Sequence, residues 1–234
     1  MYFSLMTPDP NRAREAIHER LHGPYADHQW LWRWFPAEHG TPRDFLFRRH
    51  EHEGQARYYV VSHRPPAEQG GSWQVQTRDY APQLQAGERL SFELRANPTV
   101  RHGHDGKSKR HDVVMNAKKK LLAERGLARW QDWEGSDRPA AQDVIQSACT
   151  KWLTRRGERL GFSIDAERVQ VQAYDTHQER QTQKDRDLQF TTVDFSGELT
   201  VTDAVSFQSA LMDGIGSAKA FGCGLLLVRR AGSE

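Results

Sequence analysis

The chain has 234 residues, of which 37% are hydrophobic, with a mean hydropathy of −0.82 and a net charge of +2 at pH 7. The N-terminal apolar run is too short for a secretory leader and no segment is apolar enough to span a membrane, so we expect a cytoplasmic protein. The length suits one large domain or two of about 100 residues each. Cys149 and Cys223 are predicted to be reduced packing residues in that compartment.

The first part of the chain has a β-α-β-β order of predicted elements, followed by more sheet. Apolar periodicity predicts a strand from Tyr2 to Met6, helices from Asn11 to Leu21 and from Asp27 to Phe35, and strands over residues 44–49, 57–62, 72–77 and 89–95. Trp30, Trp32 and Trp34 are predicted to belong mainly to the core or a domain interface, because they lie on a helix.

The second part repeats this order with longer connections. The predicted elements are a helical region over residues 116–134, a helix over 141–160, strands over 168–174 and 188–202, a helix over 204–212 and a strand over 225–229. Two ferredoxin-like β-α-β-β-α-β units fit this order better than an alternating parallel α/β fold. We therefore predict an α+β protein with domains over residues 1–90 and 91–234.

Basic residues are concentrated between Thr99 and Trp130. Nine Lys and Arg there stand against three Asp and Glu, which gives this segment a net charge of +6 and leaves −4 for the rest of the chain. Such a concentration is typical of a protein that binds a polyanion, although basic runs also occur on ordinary solvated faces.

A glycine-rich segment precedes the last predicted strand. Gly214, Gly216, Gly222 and Gly224 fall within eleven residues, with Lys219 between them. Their backbone N–H groups can approach a phosphate, and Lys219 adds a charge. The alternative is a helix C-cap followed by a tight turn. The spacing excludes a Walker loop and a Rossmann fingerprint, so we expect no nucleotide cofactor.

Three parts of the sequence carry a resemblance to a known family. They are the glycine-rich segment 214–226, the segment Leu94-Arg-Ala-Asn-Pro98, and the segment 25–36 followed by Arg43-Asp-Phe-Leu-Phe47. Over nearly its whole length the chain resembles the Cascade-type (subtype I-E) CRISPR RNA-processing endoribonucleases, the CasE family. The resemblance implies tandem RRM-like ferredoxin domains, metal-independent cleavage of precursor CRISPR RNA at the base of a repeat hairpin, and retention of the hairpin within a surveillance complex.

The resemblance also implies a catalytic pair. The family's catalytic histidine corresponds to His28 and its neighbouring tyrosine to Tyr25, whose alternative role is packing. The sequence predicts independently that Asp27 is a helix N-cap, which places His28 in the first turn, where a phosphate is favoured. An imidazole can take a proton from a ribose 2′-OH or give one to the leaving 5′-oxygen. Because RNA supplies its own nucleophile, no metal is required.

RNA contacts are predicted from basic regions and from the glycine-rich segment. The candidates outside that segment are Arg33, Lys107, Lys109, Arg110, Arg180, Lys184 and Arg186. Lys107, Lys109 and Arg110 lie in a hairpin-like segment, whose alternative is a mobile charged loop. Arg180, Lys184 and Arg186 lie in a polar connection between two strands that also contains Glu179, Asp185 and Asp187, and the alternative for Arg33 is a solvated side chain. Histidines at 50, 52, 102, 104 and 111 lack partners at a familiar metal-ligand spacing. The main alternative function is a non-catalytic subunit that binds hairpin RNA.

Overall fold

The structure is a computed structural model that describes residues 1–19, 24–68, 71–104, 107–181 and 186–231. Within these ranges, the side chains of residues 24–25, 104, 107–108, 179–181 and 186–188 lie outside the description. No helix in the described ranges is long and apolar enough to cross a membrane.

The N-terminal part forms a four-stranded antiparallel sheet. Its elements are β1 (Tyr2–Pro8), α1 (Ala13–Glu19), α2 (Pro24–Leu31), β2 (Phe45–His52), β3 (Gln55–Ser62) and β4 (Trp73–Asp79). The strand order β2-β3-β1-β4 is that of a ferredoxin-like unit. Trp30 and Trp34 pack with Tyr58 and Trp73 in the core on one face of this sheet, as predicted for the first two.

Helix α2 begins earlier than predicted, because Pro24 rather than Asp27 occupies its first position. Asp27 lies inside the helix, is 3% exposed and accepts a hydrogen bond of 2.6 Å from the Tyr58 hydroxyl. The predicted N-cap role of Asp27 is therefore wrong. His28 stands in the second helical turn, so its own backbone N–H does not belong to the exposed helix N-terminus.

The C-terminal part contains the second sheet and the insertions. Its elements are β5 (Arg89–Ala96), β6 (Thr99–His104), β7 (Lys107–Asp112), α3 (Val113–Glu124), α4 (Ala141–Leu160), β8 (Phe162–Ile164), β9 (Gln170–Gln181), β10 (Arg186–Val201), α5 (Ala204–Asp213) and β11 (Leu226–Arg230). The order β11-β5-β10-β8 again follows the ferredoxin-like pattern, with β9 paired to β10. Strands β6 and β7 form a separate hairpin.

The two sheets meet through apolar and ionic contacts. Leu46 and Val61 of the first sheet pack with Leu225, next to the last strand of the second. Arg48 is 6% exposed and lies 3.4 Å from a Glu93 carboxylate oxygen and 3.8 Å from one of Asp194. Because Arg48 belongs to the first sheet and both acids to the second, this contact fixes the two halves against each other. The exact limits of the predicted domains at residue 90 stay a prediction.

Candidate functional site

His28 lies on α2 in a partly buried, largely aromatic environment. The Trp32 indole N–H donates a hydrogen bond of 3.1 Å to His28 Nε2, and the rings of His28 and Phe45 are 6.2 Å apart between centroids. Burial, and then the positive charge of Arg43, lower the pKa of His28 to about 4. The imidazole is therefore neutral at pH 7, and its Nε2 is the accepting nitrogen. Trp32 packs against the core, as predicted, and also touches the proposed catalytic ring.

Arg43 stands two residues before β2 and faces the same aromatic ring as His28. Its guanidinium carbon is 5.8 Å from the Phe45 ring centroid. Nε and Nη1 of Arg43 are buried and have no hydrogen-bond partner among the described residues. Burial lowers the pKa of Arg43 to about 10, so the side chain stays cationic at pH 7. The positive charge of Arg43 also acts on Lys219 and lowers its pKa, after the larger effect of burial.

Lys219 comes from the glycine-rich segment. It begins a short 3-10 helix, Lys219–Phe221, that contacts α2, and its ammonium donates a hydrogen bond to the Asp213 backbone carbonyl. We call His28, Arg43 and Lys219 the His28 cluster. Its members come from three distant parts of the sequence: Arg43 acts on the neutral imidazole, and the charge of Arg43 also reaches Lys219.

The glycines have clear packing roles. Gly214 ends α5 with φ of 76°, and a Cβ there would lie 2.8 Å from Leu46 Cδ1. A Cβ at Gly222 would lie 3.2 Å from the Phe47 ring, so both glycines let the segment lie directly on β2. The N–H of Gly214 bonds to the Ala210 carbonyl and that of Gly224 to the Arg95 carbonyl. The prediction that these two N–H groups face a phosphate is wrong, and the C-cap and turn alternative is correct for them.

A basic cavity of about 740 Å³ adjoins the His28 cluster. Its charged lining residues are Arg101, Arg110, Arg156, Arg159 and Lys219, and no Asp or Glu is among the described residues that line it. Gly214, Gly216 and Ser217 form part of its wall. The structure thus brings together four of the predicted RNA-binding residues, Arg110, Gly214, Gly216 and Lys219.

Three cationic residues of the cavity, Arg101, Arg156 and Arg159, were missing from the predicted contacts. Arg101 lies opposite Arg110 in the β6-β7 register, so the two guanidinium groups belong to neighbouring strands. Arg156 and Arg159 stand three residues apart on α4, a spacing that places them on one helical face. The sequence alone indicates that the helix has a basic end, but it does not indicate that this end lies beside the glycine-rich segment.

The other predicted contacts lie elsewhere or outside the description. Lys109 is exposed on β7 and does not line the cavity; Arg33 is exposed in the turn after α2. Tyr25, Lys107, Arg180 and Arg186 have described backbones, but their side chains are outside the described part, as is the whole of Lys184. The connection predicted between residues 175 and 187 is largely strand, because β9 continues to Gln181 and β10 begins at Arg186.

The remaining candidate groups have structural partners. His102 Nε2 is hydrogen-bonded to Asn116 Oδ1 at 2.8 Å, and His50 Nε2 lies 4.0 Å from Glu93. Cys149 and Cys223 are free and buried, as predicted, and burial raises the pKa of each thiol to about 12.

Comparisons with known proteins agree with this architecture. The Escherichia coli (strain K12) protein named CRISPR system Cascade subunit CasE is 30% identical over 205 residues, which cover 86% of this chain and 89% of that protein. The Thermus thermophilus CRISPR-associated endoribonuclease Cse3 is 31% identical over 160 residues, or 64% of this chain and 60% of that protein.

A solved structure of the CRISPR endoribonuclease Cse3 bound to a 19-nucleotide RNA is 25% identical, has a TM-score of 0.67, and covers 97% of this chain and 98% of that one. The predicted fold of two ferredoxin-like domains is thereby confirmed. The family model described as CRISPR associated protein matches residues 1–230. With this match and the identity to CasE, the chain belongs to the CRISPR-associated protein family that includes CasE and Cse3.

Proposed function

We propose that this protein is a metal-independent endoribonuclease that cleaves precursor CRISPR RNA at the base of a repeat hairpin. It then keeps the hairpin within a Cascade-type surveillance complex in the cytoplasm. The observation that carries this proposal is a neutral imidazole, His28, beside the cationic Arg43, whose charge also reaches Lys219 in the wall of a basic cavity. Two relatives named as a Cascade subunit and as a CRISPR-associated endoribonuclease support it.

The reaction requires two proton transfers around one phosphate. The ribose 2′-oxygen attacks phosphorus as its proton leaves, the bond from phosphorus to the 5′-oxygen breaks, and that oxygen gains a proton. At pH 7 the accepting Nε2 of His28 suits the first transfer, which requires that the 2′-OH replace Trp32 as its hydrogen-bond donor. The products are a 2′,3′-cyclic phosphate, or a 3′-phosphate after hydrolysis, and a 5′-hydroxyl.

The basic cavity suits the binding of the RNA backbone. Its five cationic side chains come from the β6-β7 hairpin, from α4 and from the glycine-rich segment, and they surround a space without acidic lining residues in the described part of the chain. A-form stems are recognised mainly by shape and by backbone contacts, which cationic side chains supply. Binding is then expected to weaken steeply as salt rises, because phosphate contacts release counterions.

The second candidate function is a subunit that binds hairpin RNA without cutting it. The low pKa of His28 favours this alternative, since an imidazole with a pKa of about 4 is a weak base. The basic cavity fits both functions equally well.

Cleavage of a short-hairpin repeat RNA in EDTA separates the two functions. We expect wild type to cut the RNA, His28→Ala to lose cleavage while it binds with nearly unchanged affinity, and a substrate with deoxyribose at the cut site to be bound and left intact. Tight binding without cleavage by wild type would favour the binding subunit. Cleavage that survives His28→Ala, or that EDTA stops, would refute the proposed mechanism.

A further inference from the structure

We propose that Arg43 is a further catalytic residue, whose guanidinium binds a non-bridging oxygen of the scissile phosphate and stabilises the charge that develops during attack. The inference rests on the proposed nuclease function. It concerns a residue outside the predicted catalytic pair and outside the predicted RNA contacts, and it follows from the position of Arg43 in the His28 cluster.

The position of Arg43 favours contact with a phosphate bound at His28. Arg43 and His28 both face the Phe45 ring, at 5.8 Å from its centroid to the guanidinium carbon and 6.2 Å between ring centroids. Lys219 stands on the short helix that contacts α2, and the charge of Arg43 acts on it. A phosphate placed against His28 would therefore meet the guanidinium group as well as the imidazole.

The second argument is that Arg43 has unused hydrogen-bond donors. Its Nε and Nη1 are buried without a hydrogen-bond partner among the described residues. In the neighbouring Asp44, Oδ2 is engaged by Arg64 Nε at 2.7 Å, while Oδ1 is buried and forms no hydrogen bond with Arg43. Leaving charged donors buried and unpaired is costly, so such groups are expected where a ligand supplies the acceptors. A phosphate offers both acceptor oxygens and an opposite charge, and the guanidinium fork matches its geometry.

Two other arginines of the N-terminal half have different surroundings. Arg48 also has buried unpaired nitrogens, yet it lies near two carboxylates, those of Glu93 and Asp194, and joins the two sheets. Arg64 donates to Asp44 and to the backbone carbonyls of Phe35 and Pro36. Arg43 differs from both because no carboxylate of the described residues forms an ion pair with it. Its position therefore fits a ligand-binding role better than a structural one.

The third argument is the effect of a bound phosphate on His28. In the free protein the charge of Arg43 adds to burial in keeping His28 neutral. A phosphate anion bound to Arg43 offsets that charge and makes His28 a stronger base when substrate is present. Arg43 thereby couples phosphate binding to the proton affinity of the imidazole.

The experiment compares wild type, Arg43→Gln and Arg43→Lys in single-turnover cleavage at saturating enzyme. Affinity is measured separately with the deoxy substrate. We expect Arg43→Gln to lower the saturating rate about 10²- to 10³-fold, the usual cost of removing a donor to a developing anion, and to weaken binding far less. Lys151→Gln, which removes an exposed cation of α4 that does not line the cavity, is the control for loss of one positive charge and should leave both the saturating rate and binding unchanged.

Sulfur substitution at each non-bridging oxygen of the scissile phosphate separates contact from structural support. Wild type should lose rate with one of the two phosphorothioate diastereomers, and Arg43→Gln should lose most of that preference. Arg43→Lys is read in the same way if Arg43→Gln fails to fold. An unchanged saturating rate, or a reduced rate with the wild-type diastereomer preference, would overturn the role of Arg43. Absence of His28-dependent cleavage in wild type would instead overturn the proposed function itself.

Discussion

Lowering the pH from 7 to 5 is expected to destabilise the protein through His28. The folded pKa of about 4 lies below the usual value of 6.5, because burial and Arg43 disfavour the protonated form. Below pH 6.5 the unfolded chain therefore binds a proton that the folded protein excludes. The contribution of the neutral His28 to the free energy of unfolding is therefore present above pH 6.5 and is lost as the pH falls towards 4.

The magnitude follows from the size of the shift. With a His28 pKa of about 4 in the folded state and 6.5 in the unfolded state, the free energy of unfolding falls by about 2 kcal/mol between pH 7 and pH 5. Because His28 is only partly buried, solvent screening reduces this, and we expect about 1 kcal/mol. His28→Gln is the test variant, because a Gln side chain does not titrate and still offers an acceptor to the Trp32 indole N–H.

The assay is urea unfolding of wild type and His28→Gln at both pH values. Other groups titrate in both proteins, so the difference between the two pH-dependent losses isolates His28. Wild type should lose about 1 kcal/mol more than His28→Gln between pH 7 and pH 5. His39→Gln, which alters an exposed histidine, is the control and should behave as wild type. Equal losses in wild type and His28→Gln would show that burial and Arg43 do not depress the pKa of His28.

Two further predictions concern the cavity and the glycine-rich segment. Combining Arg156→Gln with Arg159→Gln should reduce the slope of log affinity against log salt by about one to two units, because two phosphate contacts are lost. Lys151→Gln, which changes an exposed residue of α4, should leave that slope unchanged. Equal effects of the two changes would contradict a phosphate-binding cavity. In urea unfolding, Gly214→Ala should lower the free energy of unfolding by about 3 kcal/mol, because the cost of the positive φ adds to that of the 2.8 Å approach to Leu46. Gly40→Ala should cost only about 1 kcal/mol, because Gly40 has a φ of 90° but a Cβ there would meet no atom. Equal losses would refute the clash with Leu46.

Local signals predicted most of the fold. Helix α4 runs from Ala141 to Leu160 as predicted, because its apolar period is clear and Gly161 ends it with φ of 77°. Strand β8 was missed because three residues, Phe162–Ile164, are too few to show a period. Asp27 was assigned as an N-cap because acidic residues favour helix starts, whereas its partner, the Tyr58 hydroxyl, lies 31 positions away. Contacts between distant residues override such local preferences.

The same distinction explains the candidate site. The glycines and Lys219 were found because they are close in sequence, and His28 because it matches a family pattern. Arg43 and Trp32 were missed as site residues, since their relation to His28 depends on how α2 packs against Phe45. Arg156 and Arg159 were visible as a basic helix end, but only the fold places them beside residues 214–219.

The division between the cavity and the His28 cluster bears on product retention. Contacts with phosphates away from the cut are the same before, during and after cleavage, so we expect the cavity cations to lower the dissociation constant of substrate and product alike without raising the rate. In the proposed mechanism His28 and Arg43 act on the reacting phosphate, where charge and protons change. The contacts between the two sheets, Leu46 against Leu225 and Arg48 near Asp194, join the halves of the protein that carry these two regions. We therefore expect the proposed enzyme to cut once and keep its hairpin, because the reaction would remove few of the contacts that bind it.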